Sequence, residues 1–231
     1  MSLTLAIDTT SRNCSISVLE GKNALVEYNF VSSGELSETL IPHIDNIFSS
    51  LKIGVEEIGL VGASVGPGLF TGIRVGLATL KGIFFNREVP VVPVVSLNAI
   101  AMKLLYTGMK VVPVIDARRG EIYTAVYQFN KGKVLCINDP VLINLEYLDK
   151  FLGSKEDICF TGPGISVYRD FIIKEFPESL IAERSPFTSY EVGIISKMEY
   201  EEGKSLKGVS SLEPIYIRIP DAEKNFGSGK D

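Results

Sequence analysis

The 231-residue chain is poor in residues that carry much of enzyme chemistry: it has one histidine, three cysteines and no tryptophan. A paired-histidine zinc site is therefore excluded. A Ser-His-Asp or Cys-His arrangement would have to use His43, which lies in the apolar stripe of a predicted helix. Cys14, Cys136 and Cys159 lie far apart without Cys-x-x-Cys spacing, which indicates reduced thiols and neither a disulfide framework nor a zinc site.

Positive charge and long apolar runs are also scarce. The 23 Lys and Arg against 28 Asp and Glu give a net charge of −5, so strong direct binding of nucleic acid is not expected. The most apolar region, residues 89–106, is broken by Pro90, Pro93, Asn98 and Lys103, so no segment is expected to span a bilayer. The first residues lack the basic and apolar regions of a signal peptide, and we expect a cytoplasmic protein.

What the chain does contain is the composition of a folded globular protein, with 45% hydrophobic and 22% charged residues. Hydrophobic periodicity predicts three antiparallel strands followed by alternating helices and strands. The order is β-β-β-α-β-α-β-α, with strands over 3–7, 15–19, 24–30, 58–65 and 91–95, and helices over 35–51, 70–85 and 97–106.

The same order recurs in the second half. Strands are predicted over 111–115, 121–129, 134–137 and 157–161, with a turn at 130–132 and helices over 145–152 and 167–175. Each half has a Gly-Pro-Gly after its fourth strand, at 66–68 and 162–164. The repeat predicts two duplicated α/β domains, 1–107 and 108–231, that face each other across a cleft. A helix over 190–201, a strand-like 214–218 and a polar tail from 221 complete the second half.

Two aspartates end corresponding strands, Asp8 in the first half and Asp116 in the second. Together they could hold a hydrated Mg²⁺ against the phosphates of a nucleotide. Each could instead cap its own turn, which aspartate often does. Capping is favoured for Asp8, because the residues after it include no glycine that would let backbone amides close on a phosphate. Arg118, beside Asp116, could contact an anion or an acid of its own loop.

A glycine-rich block over residues 64–76 joins a predicted strand to a predicted helix. This geometry can bind an anion, but the block has neither the Gly-Lys-Ser/Thr of a P-loop nor the third glycine of a dinucleotide site. Gly72 and Gly76 share one helix face, and each costs about 1 kcal/mol relative to alanine. Close packing could offset that cost, either in the core or against another subunit, and the residues alone favour the core.

These motifs resemble the TsaB (YeaZ) family of bacterial tRNA threonylcarbamoyladenosine biosynthesis proteins. The resemblance extends over nearly the whole chain. It is carried by Ala6-Ile7-Asp8-Thr9-Thr10, the block from Gly62 to Gly76, Ile115 to Tyr123, and Pro214 to Arg218. The glycine block, with Arg74 near its end, is specific to this family and its paralogue.

The resemblance implies an actin-like ATPase (ribonuclease H-like) fold, in which the turns after the first strands bind phosphates and a glycine pair binds adenosine. In this chain Pro163 interrupts the adenosine motif and no glycine follows Asp8. We therefore expect a degenerate nucleotide site without cofactor or metal, formed by Asp8, Thr9, Thr10, Asp116, Arg118, Gly162 and Gly164.

The resemblance also implies a function without catalytic residues. TsaB-like proteins bind the paralogue TsaD, which transfers the carbamoyl group to the adenosine beside the anticodon with help from the ATPase TsaE, so tRNA would be bound mainly by the partner. The first two helices would contact TsaD, or a second TsaB copy in its absence. That implication reverses the preference for the core and predicts an interface of Leu36, Leu40, Ile44, Ile47, Gly72, Arg74, Gly76, Leu77 and Leu80.

The alternatives are a small-molecule kinase or ATPase that uses Asp8 and Asp116 with Mg-ATP, and a self-contained metabolite-binding module.

Overall fold

The computed structural model describes residues 2–104, 106–130 and 133–218. In the first half, three antiparallel strands precede three helices that alternate with two strands. The elements are β1 Leu3–Asp8, β2 Asn13–Glu20, β3 Asn23–Val31, α1 Leu36–Leu51, β4 Ile58–Gly66, α2 Phe70–Ile83, β5 Pro90–Val95 and α3 Ser96–Met102.

The second half repeats this order and adds one short strand. Its elements are β6 Lys110–Asp116, β7 Glu121–Asn130, β8 Lys133–Asn144, α4 Leu148–Leu152, β9 Ile158–Thr161, α5 Ile165–Glu175, β10 Leu180–Ala182, α6 Ser189–Glu201 and β11 Leu206–Lys207. The predicted duplication of a β-β-β-α-β-α-β-α unit is thus confirmed.

Two mixed sheets have matching strand orders. The first is β11-β5-β4-β1-β2-β3 and the second is β10-β9-β6-β7-β8. In each, the first strand of the repeat is central, antiparallel to the second and parallel to the fourth. The carboxyl ends of β1 and β6 therefore occupy equivalent positions, which is where the sequence places Asp8 and Asp116.

The first sheet is covered on one face by α1 and α2. Helix α1 buries one apolar stripe and ends at Leu51; the next residue, Lys52, has the left-handed backbone conformation that often terminates a helix. The stripes of both helices join residues of β1, β2 and β4 in a single hydrophobic core. Burial of these stripes, at about 25 cal/mol per Å² of apolar surface, is what holds the two helices on the sheet.

The predicted domain 108–231 is wrong at its C-terminal end. Strand β11 pairs with β5 of the first sheet, and α6 packs on the first sheet so closely that Gly62 lies against Ser196. We call residues 2–95 with 188–212 the first lobe, and residues 106–130 with 133–187 the second lobe. Helix α3 lies between them, with Leu97 and Ala101 buried beside Tyr123 of the second lobe.

Several predicted boundaries also differ from the structure. Residues 214–218, which the sequence predicts to be strand-like, join neither sheet and bend at residues 217 and 218; the Ile215 amide donates to Val65 O at 2.8 Å. Strand β8 continues to Asn144, and α3 ends at Met102. The last two residues of the predicted turn 130–132 and the polar tail from 221 lie outside the described residues.

Within the described parts of the chain, no helix combines the length and the apolar character that a membrane crossing needs.

Candidate functional site

A cleft of about 630 Å³ lies between the two lobes. The loop after β1 and the Gly-Pro-Gly loop before α2 form its first-lobe side, and the loop after β6 and the start of α5 form its second-lobe side. Among the residues that line it are Thr10, Arg12, Gly68, Asp116, Arg118 and Pro163. This is the cleft between duplicated domains that the sequence predicts.

Asp8 is buried behind the first-lobe side of this cleft, and its carboxylate is bound by its own chain. Oδ1 accepts bonds from the Thr10 amide at 2.8 Å and the Thr10 hydroxyl at 2.7 Å. Oδ2 accepts a bond from the Thr188 hydroxyl, at the start of α6. The turn-capping role favoured for Asp8 is therefore what the structure shows.

Asp116 is exposed at the cleft, but it too caps its turn. Its Oδ1 accepts a bond from the Arg118 amide at 2.8 Å and one from the Tyr168 hydroxyl at 2.6 Å. Burial of the phenol, followed by this bond to Asp116, raises the pKa of Tyr168 to about 12. Tyr168 therefore remains a donor to Asp116 at neutral pH. No residue pattern in the sequence pointed to this tyrosine, since it lies 52 positions away from its partner.

The second Gly-Pro-Gly is bound to the central strand of the second sheet. The Gly164 amide donates to Val114 O at 2.9 Å, and a Cβ on Gly162 would lie 2.7 Å from the same oxygen. These glycines thus allow the turn to lie against β6, and the amide of Gly164 is used within the fold.

Gly68, just before α2, and Gly72 and Gly76 on α2 also pack against a part of their own chain. A Cβ on Gly68, Gly72 or Gly76 would lie within 3.0 Å of Thr9 or Thr10, in two cases of a backbone oxygen. The contact is also hydrogen-bonded, since the Thr9 hydroxyl donates to Gly72 O at 2.8 Å and the Leu69 amide donates to Thr10 O at 2.6 Å. The loop after β1 occupies the groove that the three glycines create.

The prediction that Gly72 and Gly76 receive a helix of another subunit is therefore wrong. Their face is filled by the chain's own loop, as the residues alone had favoured. The same contact uses the Leu69 amide at the N-terminus of α2, so this amide is not available to the anion that the glycine-rich block could bind.

Comparison with known proteins identifies the family. A family model described as TsaD, tRNA N6-adenosine threonylcarbamoyltransferase, matches residues 31–225. The TsaB protein of Bacillus subtilis is 25% identical over 228 residues, which cover 96% of both chains. The TsaB protein of Haemophilus influenzae is 28% identical over 93% of this chain and 92% of its own length.

The chain belongs to the TsaB (YeaZ) family. The predicted resemblance is confirmed. That a TsaB-type chain matches a model described as TsaD agrees with the expectation that the two proteins are paralogues.

Solved structures of TsaB-type proteins share the fold. YeaZ from Pseudomonas aeruginosa superposes with a TM-score of 0.77 at 22% identity over 94% of this chain and all of its own. An activator of 2-hydroxyisocaproyl-CoA dehydratase from Clostridium difficile has a TM-score of 0.51 at 9% identity. The predicted duplicated actin-like ATPase (ribonuclease H-like) fold is confirmed.

Six further residues of the predicted TsaB interface also lie inside this chain. Buried side chains of α1 and α2 belong to the first-lobe core, which explains their apolar character without a partner; they are Leu36, Leu40, Ile44, Ile47, Leu77 and Leu80. The prediction that these side chains contact another subunit is wrong for this reason. Arg74 does point outward, where its Nε donates to the Tyr216 hydroxyl at 2.8 Å.

The outward faces of the same two helices carry apolar residues that the sequence analysis missed. Ile41 on α1 is 53% exposed and Phe85, just after α2, is 75% exposed. Between them in the chain lie the exposed Ala78 and Gly82, and a Cβ on Gly82 would meet nothing within 4 Å. The four-residue spacing of Ala78 and Gly82 places both small residues on one helix face, and this is the signal in the sequence for this surface.

Proposed function

We propose that this chain is a non-catalytic cytoplasmic subunit of the machinery that makes threonylcarbamoyladenosine in tRNA. In this proposal it binds the paralogue TsaD, which performs the transfer, with the ATPase TsaE assisting. The observation that carries it is the state of the first phosphate loop. In this family member, Asp8 is buried and bonded to Thr10 and Thr188, and the loop is packed into the glycines of α2.

An actin-like ATPase needs a carboxylate at this point that can reach a hydrated cation beside the phosphates. The Asp8 carboxylate would have to give up three internal bonds first. Each buried donor left without its acceptor costs about 1–3 kcal/mol, and contact with the cation would have to offset that loss. This cost supports a role as a partner of a catalyst.

The proposed partner surface is the outward side of α1 and α2, with Ile41, Ala78, Gly82 and Phe85. The proposed surface thus belongs to the same two helices that the sequence predicts to bind TsaD. It lies on their exposed faces, opposite the buried faces that the sequence predicts. Small residues at Ala78 and Gly82 let a partner helix approach the backbone of α2 closely, and exposed apolar side chains supply area to bury. A second copy of the chain would use the same surface when TsaD is absent.

The net charge of −5 supports a further part of the proposal, namely that TsaD holds most of the tRNA.

The test is Ala78→Arg, which adds a long charged side chain to an exposed position and leaves the core intact. We expect TsaD to bind at least about tenfold more weakly, equivalent to roughly 1.4 kcal/mol, and tRNA modification by the reconstituted mixture to fall with it. The matched control is Ile173→Arg, at an exposed position of α5 that is 51% exposed. Unchanged TsaD binding by Ala78→Arg would contradict the proposed surface.

Calorimetry with Mg-ATP on the isolated chain separates this proposal from the kinase alternative. We expect the isolated chain to bind Mg-ATP weakly or not at all. Micromolar binding with turnover, lost on Asp8→Asn, would overturn the non-catalytic role and favour a kinase or ATPase. Binding of another metabolite without turnover would favour a self-contained binding module.

A further inference from the structure

The last described segment of the chain runs from one lobe to the other. We call residues 212–218 the C-terminal strap. It starts at Leu212, which is buried in the first-lobe core, and ends at Arg218, which is bound to the second lobe. Between these ends it follows the edge of the cleft.

The first attachment of the strap is a backbone contact with β4. The Ile215 amide donates to Val65 O at 2.8 Å. The next residue, Gly66, has φ of +114°, and a Cβ there would lie 2.7 Å from the Ile215 oxygen. Glycine is therefore required at position 66 for two reasons: the backbone conformation disfavours a side chain, and the strap leaves no space for one.

The second attachment is made by Tyr216 to α2. Its ring lies 5.0 Å from the Phe70 ring, and the Arg74 guanidinium lies 3.8 Å from the Phe70 centroid. Because Arg74 also donates to the Tyr216 hydroxyl, the cation joins the two rings into one group. This accounts for Arg74, the exposed cation within the glycine-rich block.

The third attachment is on the second lobe. Arg218 donates to Ala117 O at 3.0 Å and forms an ion pair with Glu121. Ile217 packs against the hydrophobic cluster that contains Ala117 and Tyr123. Two adjacent residues of the strap therefore hold the second lobe, while Ile215 and Tyr216 hold the first.

The strap also forms a wall of the cleft. Ile215, Tyr216, Ile217 and Arg218 line the same space as the loops after β1 and β6. In a two-lobed fold, opening and closing of the cleft occurs by rotation of one lobe relative to the other. Rotation here would stretch the strap between Val65 on one side and Ala117 on the other.

We propose that the C-terminal strap locks the two lobes at one angle, so that the cleft neither opens nor closes while the strap is attached. The chain then behaves as one rigid body. Release of Tyr216 and Arg218 would detach the strap from the second lobe and restore lobe rotation. This proposal does not depend on the proposed function.

The test measures the distance between lobes by pulsed electron paramagnetic resonance. Spin labels are placed on rigid helices at Asn46→Cys of α1 and Asp170→Cys of α5, in a Cys136→Ser background because Cys136 is the exposed thiol among the three. Labelled chain is diluted into unlabelled chain so that only intramolecular distances contribute.

The double variant Tyr216→Ala with Arg218→Ala is expected to broaden the distance distribution at least about twofold. The parent chain and the control Glu213→Ala, whose exposed side chain lies on the strap, should give one narrow distribution. A narrow distribution in the double variant would overturn the lock.

A second measurement needs no substitution in the strap. Hydrogen exchange of the Ile215 amide in the unmodified chain should be slowed at least about a hundredfold relative to an unprotected amide, because it is bonded to Val65 O. Exchange at the unprotected rate would show that the strap is detached in solution, and would refute the proposal even if the double variant did not fold.

Discussion

At the level of single residues, two glycines of α2 have the same helical propensity and opposite environments. Gly72 lies against the backbone oxygen of Thr9, whereas a side chain at Gly82 would meet open space. A backbone oxygen held in a hydrogen-bonded loop cannot move aside cheaply. The folded chain therefore requires glycine at position 72 and does not require it at position 82.

We accordingly expect opposite effects from the same substitution. Gly72→Ala should lower the free energy of unfolding by about 1–3 kcal/mol, because overpacking outweighs the gain in helix propensity. Gly82→Ala should raise it by up to about 1 kcal/mol. Urea titrations of the two variants give both values, and a stabilising Gly72→Ala would contradict the close packing of Gly72 against Thr9.

At the level of elements, α6 is capped by residues distant in the chain. The Ser15 hydroxyl of β2 accepts bonds from the Thr188 amide at 3.2 Å and the Ser189 amide at 3.0 Å. Ser17 adds a hydroxyl contact to Ser189 at 2.6 Å, and Asp8 lies at the same helix end, where a negative charge is favourable. These bonds attach the returning chain to the first lobe.

Ser15→Ala should therefore destabilise the protein, because it leaves two buried amides at the start of α6 without their acceptor. The expected loss is about 1–3 kcal/mol, which corresponds to a fall in Tm of roughly 2–4 °C for each kcal/mol. Thermal unfolding monitored by circular dichroism measures it. Ser33→Ala, at an exposed loop position, is the control and should change Tm little.

At the level of the whole molecule, buried thiols and phenols make the free energy of unfolding fall as the pH becomes alkaline. Burial, and secondly the charge of Asp8, raises the pKa of Cys14 from about 9 to about 12. Burial also raises the pKa of Tyr127 and of Cys159. Because the folded-state pKa values are the higher ones, the folded chain binds more protons than the unfolded chain above about pH 9.

The free energy of unfolding should therefore be at its full value below about pH 9 and fall as the pH rises toward 12. Urea titrations between about pH 8 and pH 10.5 measure the decline, and Cys14→Ser should make it shallower. A free energy of unfolding that stays constant over this interval would refute the effect of burial.

Most of the element order could be predicted from the sequence, because it depends on local periodicity. Alternation in β2 and the stripe of α1 are each contained in fewer than twenty consecutive residues, as are both Gly-Pro-Gly turns. The lobe to which α6 belongs could not be predicted in this way. It depends on Ser15 and Gly62, which contact the helix from more than a hundred residues away.

The candidate site, too, could be predicted from the sequence only in part. The loops that form the cleft follow from the positions of Asp8, Asp116 and the two glycine turns, and family membership follows from the same motifs. The tertiary structure decided the rest. The contact between Thr9 and Gly72 determines which face of α2 is buried, and the contact with Tyr216 determines the role of Arg74. Periodicity records that a face is apolar or small, but the neighbour that covers it is set by contacts between residues far apart in the chain.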